Sequence, residues 1–400
     1  MNTTTLPPVS APAAGLKSQP VQRLPAPHTV AGACFVLVLA LGLLSNGYGW
    51  LNDKLKLAKP QPTWQDVMTG APMQQLADAM ANTPMPQNAA KLERVFSWLA
   101  AGDLGARVRQ GQQDWLFLAD EFTPHSHAKT SAAARADEVI ALRKRLASEG
   151  IELLVVVVPD KSRIADTHLG ALHRPPEFVD RIGQWTGTLA KAGVDVVDLS
   201  AVLGKLQQQG DNAYLRTDSH WTEAGASAAA VQVAQRAQAL GVVVSNGSSL
   251  QMTGRETRIR PGDLVRLAGI DSLPLALQPR PESTQQSRFE VGQAGSGPAA
   301  TATTARPPAT TSNDDLFGDA ALPTVAVIGS SFSRTSNFVP FLAQALNAQV
   351  ANFALDGGDF AGAAHAYFAS SAYKQTPPKL LIWEIPERVL QADRHNDQVK

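Results

Sequence analysis

Asp218 and His220 stand two residues apart in the stretch YLRTDSHWTEAGASAAA, residues 214–230, just ahead of an alanine-rich run with strong helix propensity. Thr222 is a fitting N-cap for that helix. This spacing lets the two side chains share one side of an extended segment at a helix mouth. A carboxylate so placed holds an imidazole in one tautomer and stabilises the imidazolium formed when the ring takes a proton, which suits a general base. The nucleophile such a base would serve is supplied by residues 324–333, TVAVIGSSFS, where a β-branched apolar run ends in glycine and then serines. A serine on a tight turn at the carboxyl end of a strand is exposed where parallel sheets bind ligands. The helix after it offers backbone N–H groups to a developing oxyanion. Ser331 is the expected nucleophile and Ser330 its alternative.

The elements that must position these residues follow an α/β order. The runs 151–158, 194–199, 324–328, 350–353 and 380–385 read as strands, the first of them a continuous apolar, β-branched run typical of a strand covered on both faces. Helical spacing separates them at 131–149, 178–192, after Thr222, at 337–346 and at 360–372. Alternation of this kind predicts a parallel sheet with helices on both faces, with chemistry at the strands' carboxyl ends. Asp114-Trp115-Leu116-Phe117-Leu118 reads as a further short strand. Between residues 241 and 322 the pattern lapses: 251–270 has alternating pieces suited to a hairpin, and 278–313 has little to bury.

The motifs D-S-H-W-T-x-x-G-A (218–226), G-x-S-F-S (329–333), Asn352 with Asp356-Gly357-Gly358, and LIWEIPER (381–388) together resemble the alginate O-acetyltransferase family, whose periplasmic members carry an SGNH-hydrolase-like catalytic domain. DWLFL (114–118) and VVVPDKS (156–162) look like the same family, and the likeness spans roughly residues 107–390. The resemblance implies an SGNH-hydrolase-like, flavodoxin-like α/β fold in permuted motif order, with acid and base ahead of the serine. It also implies a Ser331–His220–Asp218 triad that moves acetyl groups onto hydroxyls of an exopolysaccharide, alginate or similar, through an acetyl-serine intermediate. No cofactor is expected. Asn352 and Gly358 occupy positions where an SGNH-like site finds oxyanion donors. Because acetyl-CoA is not expected in the periplasm, the resemblance further implies a membrane-embedded O-acyltransferase partner that passes acetyl groups outward. The same residues would serve an acetyl esterase, and the fold alone would serve a non-catalytic scaffold of an exopolysaccharide biosynthesis complex.

Composition narrows the setting. The 400 residues carry 35 Lys+Arg and 35 Asp+Glu, a formal net charge of zero without a concentrated basic run, so nucleic acid is not an expected partner. A single cysteine, Cys34, rules out an intramolecular disulfide. Residues 30–48 contain no charged side chain and reach the length that crosses a hydrocarbon core. The expected organisation is a disordered cytoplasmic tail (1–29), a transmembrane signal-anchor (30–50), a helical stalk or cap (51–105) and the catalytic domain (106–400) with a partly disordered insertion at about 245–320. That places the chain as single-pass in a bacterial inner membrane with its bulk in the periplasm.

Arg255, Arg258, Arg260 and Arg266 form a basic cluster that would suit a uronate polymer through bidentate carboxylate contacts, or be an ordinary solvated face. Arg258 and Arg260 are carried forward as substrate candidates. His125-x-His127 lacks the third ligand a catalytic zinc needs, so no metal site is expected. Lys161, at a strand end, reads either as a substrate contact or as a capping or pairing residue.

Overall fold

The computed structural model describes residues 27–52, 63–242, 250–291, 323–394 and 396–399. The chain divides into two compact units, Met1–Leu92 and Glu93–Lys400. Most of the expected N-terminal tail lies outside the described residues.

In the first unit, α1 (Pro27–Leu51) is a 25-residue helix, about 37 Å long at 1.5 Å per residue. Its residues 28–51 have a mean hydropathy of 2.0 and are mostly exposed. An N-terminal helix this long and apolar is consistent with a signal or membrane-anchor segment. Two short helices follow, α2 (Trp64–Met68) and α3 (Ala71–Ala81). Thr63 and Asp66 close a capping box ahead of α2. The sequence reads 64–80 as one helical stretch, but Gly70 at φ 76° breaks it. The next helix, α4, runs from Pro84 to Ala101. A proline in the first helical turn forfeits only an N–H that has no helical partner anyway.

The second unit contains a hairpin of β1 (Val108–Gln110) and β2 (Leu116–Leu118). The order then runs α5 (Ala128–Ser148), β3 (Glu152–Val158), α6 (Lys161–Ile164), α7 (Arg181–Lys191), β4 (Asp195–Asp198), α8 (Ser200–Gln208) and α9 (Glu223–Ala239). After β5 (Leu250–Arg260), α10 (Asp263–Leu267) and β6 (Glu282–Val291) come β7 (Val325–Ile328), α11 (Phe338–Leu346), β8 (Val350–Asn352), α12 (Gly362–Ala369), α13 (Ser371–Gln375) and β9 (Leu380–Pro386).

Five strands make one parallel sheet in the order β4-β3-β9-β7-β8. Side chains alternate across it with period two. Val156 and Val158 of β3, Val327 of β7 and Ile382 of β9 join Val233 of α9 and Phe338 of α11 in one core. Val155, Ile328 and Trp383 join Leu142 of α5, Ile182 of α7 and Tyr367 of α12 in a second core on the opposite face. The expected parallel sheet with helices on both faces is therefore observed.

The hairpin expected within 251–270 forms differently. Leu250–Arg260 pairs antiparallel with Glu282–Val291, part of the stretch read as having little to bury, while Asp263–Leu267 is helical. These strands are joined by their antiparallel backbone ladder, and the side chains along it are mostly polar, Glu256 and Arg288 among them, with no apolar alternation. Hydropathy therefore does not reveal them. Residues 243–249 and 292–322 of the expected disordered insertion lie outside the described residues.

The carboxyl ends of β3 and β9 are tied by a buried ion network. Glu387 Oε2 accepts the Asp160 N–H at 2.8 Å and Arg163 Nε at 2.9 Å; its Oε1 accepts Arg163 Nη2 at 2.6 Å, Arg174 Nη2 at 2.9 Å and Arg181 Nε at 2.8 Å. Asp160 also pairs with Arg181. Lys161 is fully buried and donates from Nζ to the carbonyls of Leu116 (2.5 Å), Arg216 (2.8 Å) and Asp218 (2.9 Å). It is a rivet joining the end of β3 to β2 and to the segment that carries Asp218, and it takes the second of its two expected roles.

Candidate active site

Residues 213–222 fold back on themselves. Tyr214 and Trp221 form an isolated antiparallel bridge, the Leu215 N–H bonds the His220 carbonyl at 3.0 Å, and the Thr222 N–H bonds the Ala213 carbonyl at 3.0 Å. Asp218 and His220 thus lie in a closed loop rather than on an extended segment. Asp218 Oδ1 accepts the backbone N–H of His220 at 3.1 Å, the local side-chain-to-backbone bond that aspartate makes in turns. Thr222 caps α9, accepting the Gly225 N–H at 3.0 Å. The helix begins right behind the imidazole, as its sequence predicts.

His220 Nδ1 is 2.7 Å from Asp218 Oδ1, and His220 Nε2 is 2.6 Å from Ser331 Oγ. The sheet brings together residues 111 positions apart. Since a carboxylate accepts, Nδ1 carries a proton and Nε2 faces the hydroxyl as an acceptor. Asp218 is buried, whereas His220 and Ser331 are partly exposed. Burial pushes the Asp218 carboxyl up. The hydrogen bond and charge of His220, with the N–H groups of Asp263 and His220, outweigh this and hold it well below the usual carboxylate range. Phe332, next to the serine, sets its ring 5.2 Å from the imidazole and 5.0 Å from Trp221, fixing the imidazole's position by packing.

Ser331 opens a single 3-10 turn, Ser331–Arg334, at the end of β7, and its N–H has no partner among the described residues. The long helix α11 begins later, after Ser336 and Asn337 at φ 51° and 56°. The donors near Ser331 are therefore those of the short turn and not the amino end of α11, as the sequence would suggest. Ser330 is differently employed: its N–H donates to Glu384 Oε2 at 2.7 Å and its hydroxyl to Oε1 at 2.9 Å. Ser333 Oγ donates to the same carboxylate at 3.0 Å. A Cβ at Gly329 would lie 2.6 Å from Glu384 Oε2 and 2.8 Å from Glu384 Cβ, so the turn's glycine is required by this close approach.

Glu384 belongs to the WEIPER motif, and its carboxylate holds the serine turn rather than pairing with Arg388. Burial raises its pKa, and the hydrogen bonds from Ser330 and Ser333 offset part of the rise. Glu384→Gln keeps the shape but turns an amide NH2 toward donors. Its expected effect is about a 10²-fold fall in kcat through displacement of Ser331, checked by steady-state kinetics beside a thermal melt.

Asp263, which stands in no recognisable motif, is also at the site. Its backbone N–H donates to Asp218 Oδ2 at 3.1 Å, and its Oδ2 lies 3.5 Å from His220 Nδ1. Asp218, His220 and Asp263 have ligand atoms within 4.8 Å of one another. Each acid is already engaged, Asp218 by His220 and Asp263 by Ser219. Proton transfer is the chemistry this arrangement supports.

A family model for the SGNH hydrolase-like domain of the acetyltransferase AlgX matches residues 108–387. The chain belongs to this family. Probable alginate O-acetylase AlgJ of Pseudomonas syringae pv. tomato is 32% identical over 291 residues, covering 72% of this chain and 69% of that protein. Its counterpart from Pseudomonas aeruginosa is 31% identical over 284 residues, covering 70% and 69%. The solved O-acetyltransferase domain of Pseudomonas putida AlgJ superposes with a TM-score of 0.60 at 26% identity, covering 73% of this chain and 95% of that one. Pseudomonas aeruginosa AlgX shares the fold, with a TM-score of 0.50 at 24% identity over 70% of this chain and 62% of that one. This member of the AlgX family is an O-acetyltransferase.

The remaining expected site residues of this SGNH-like family member fall in several places. Asn352 Nδ2 donates to the Ser333 carbonyl at 2.9 Å, and its Oδ1 accepts the Ala354 N–H at 3.0 Å, so the side chain straps the serine turn. The Gly358 N–H donates to the Leu355 carbonyl at 3.3 Å. Each of these two donors makes a bond to a neighbouring turn carbonyl, and the Asn352 amide keeps a second N–H. Arg258 pairs with Glu256 at 3.2 Å and, with Arg334, Thr284 and Asn337, lines a cleft of about 580 Å³ beside the 213–222 loop. The side chain of Arg260 lies outside the described residues.

Proposed function

We propose that this family member is a periplasmic O-acetyltransferase, single-pass in the inner membrane through α1, that acetylates an exopolysaccharide of the alginate kind by a Ser331–His220–Asp218 mechanism. The observation that carries the reading is the unbroken hydrogen-bond chain from Asp218 through His220 to Ser331. His220 Nε2 takes the Ser331 proton as Oγ attacks the acetyl carbonyl of the donor. The Asp218 carboxylate stabilises the imidazolium, and the Ser331 N–H is the donor available to the oxyanion. Collapse releases the donor's leaving group, which receives the proton from His220 and leaves acetyl-Ser331. A sugar hydroxyl then attacks this ester while His220 takes its proton, and the second collapse returns the proton to Ser331 Oγ. The organic steps need only these side chains.

The names of the AlgJ and AlgX relatives support alginate as the polymer and a biosynthesis complex as the setting. The cleft offers Arg258 and Arg334 beside Asp211, Glu223 and Glu282, a mixed lining, so the case for an acidic acceptor rests on the relatives' names. A membrane-embedded acyltransferase as the acetyl source goes with α1, which would hold both proteins in one bilayer.

The test is to incubate the detergent-solubilised full chain with a small activated acetyl ester and a panel of neutral and uronate oligosaccharides, followed by mass spectrometry. Acetyl gain on uronate oligosaccharides above the neutral ones is the expected result. Release of free acetate with every sugar unmodified would instead assign an esterase.

A further inference from the structure

We propose that Asp263 is a positioning residue that serves His220 jointly with Asp218, so that two carboxylates, from segments 45 residues apart, support one imidazole. This rests on the proposed mechanism and deepens it. Asp263 Oδ2 stands 3.5 Å from His220 Nδ1, against 2.7 Å for Asp218 Oδ1. Asp263 Oδ1 accepts the Ser219 N–H at 2.7 Å, and Oδ2 accepts the Ser219 hydroxyl at 2.5 Å. Ser219 Oγ is itself 3.4 Å from His220 Nδ1. Its hydroxyl thus lies beside both the second carboxylate and the ring.

The placement is enforced by backbone. A Cβ on Gly262 would lie 2.0 Å from the Thr217 carbonyl oxygen, so only glycine fits there. The Gly262 N–H donates to Thr217 Oγ1 at 3.2 Å and the Leu264 N–H to the Thr217 carbonyl at 3.2 Å. Together with the Asp263 N–H on Asp218, these bonds lock the start of α10 onto the loop that carries the acid and the base. Such a lock is more than an exposed aspartate requires.

The surroundings define what Asp263 feels. Asp218 and His220 face it from the 213–222 loop, Lys161 lies close enough at the end of β3 to sense its charge, and Glu282 of β6 bonds Thr217 from behind. Burial first, and then the Asp218 charge, raises the Asp263 carboxyl. A positive imidazolium between the two acids relieves that repulsion. His220 therefore gains from both carboxylates at the moment it takes the serine proton.

The experiment compares Asp263→Asn, Asp218→Asn and the double variant in the full chain, with kcat, KM and the pH profile of kcat for each. Asp263→Asn preserves size and the backbone lock. Its expected effect is a kcat about 10-fold lower with little change in KM, and an acid limb moved about 1 pH unit lower. In the Asp218→Asn background, losing Asp263 is expected to cost more than it does in the wild type, because Asp263 is then the acid remaining near Nδ1. The position of the acid limb does not depend on how much of a sample is folded, so a destabilised variant still reports. An unmoved acid limb in Asp263→Asn, or equal losses in the two backgrounds, would overturn the proposal. If Ser331→Ala retained wild-type turnover, the proposed mechanism itself would fail; an inactive Ser331→Ala with an unmoved limb in Asp263→Asn would remove only the role of Asp263.

Discussion

Replacing Ser331 with alanine is expected to lower acetyl transfer about 10⁴- to 10⁶-fold while leaving the melting temperature nearly unchanged. Ser331 Oγ is partly exposed, and its hydrogen bond to His220 is worth about 1 kcal/mol to the fold. The same hydroxyl is the atom that would form the new ester bond, so the chemical cost far exceeds the structural one. Ser330 cannot readily substitute, because its hydroxyl is held by Glu384. Rapid quenching of the wild type with donor, followed by digestion, should place one acetyl group on the peptide containing Ser331 and none on the variant's. Transfer within about tenfold of wild type would show that the Asp218–His220–Ser331 chain is not the reacting one.

Glu387→Ala is expected to cost about 3–5 kcal/mol of stability, read as a fall in melting temperature of roughly 10 °C. The carboxylate is fully buried and shared by Arg163, Arg174 and Arg181, so its removal leaves guanidinium groups and the Asp160 N–H without their acceptor. Burial pushes the Glu387 pKa up, but Arg163, followed by Arg174 and Arg181, reverses this and brings it to about 2, below the ordinary 4.5. Its contribution to stability is therefore full above pH 4.5 and is lost as the pH falls through about 2. Asp160 runs the other way: burial and the Glu387 charge raise it from 3.8 to about 7, so its contribution is full below 3.8 and fades as the pH rises through about 7. Urea unfolding of wild type and Glu387→Ala across the acid range measures the difference. A stability gap that does not narrow between pH 4.5 and 2 would contradict the assignment of that loss to Glu387.

Residues whose role depends on local chain order were legible in sequence. Asp218 and His220 are two apart, and an aspartate can bond the backbone two residues on wherever the chain turns. The helix start at Thr222 followed from capping chemistry. The strands β3, β7 and β9 followed from their apolar runs, that of β3 continuous and β-branched. The family motifs were readable for the same reason, each being a short stretch around a turn or a strand end. Other features were not local. β5 and β6 pair through a backbone ladder whose side chains are mostly polar and leave no apolar period. Asn352 and Gly358 were placed by analogy with a site, and the bonds each makes to a neighbouring carbonyl were not legible in sequence.

By itself, the sequence determined which side chains can carry an acyl group and a proton, and that a parallel sheet would present them at strand ends. Tertiary structure decided which groups meet. It set Ser331 rather than Ser330 against His220, turned Glu384 onto the serine turn, buried Lys161 under three carbonyls and brought Asp263 to the imidazole. The reason is physical: a hydrogen bond needs its atoms within about 3 Å, and for groups separated by 43 to 111 residues only the packing of the sheet and its covering layers sets that distance.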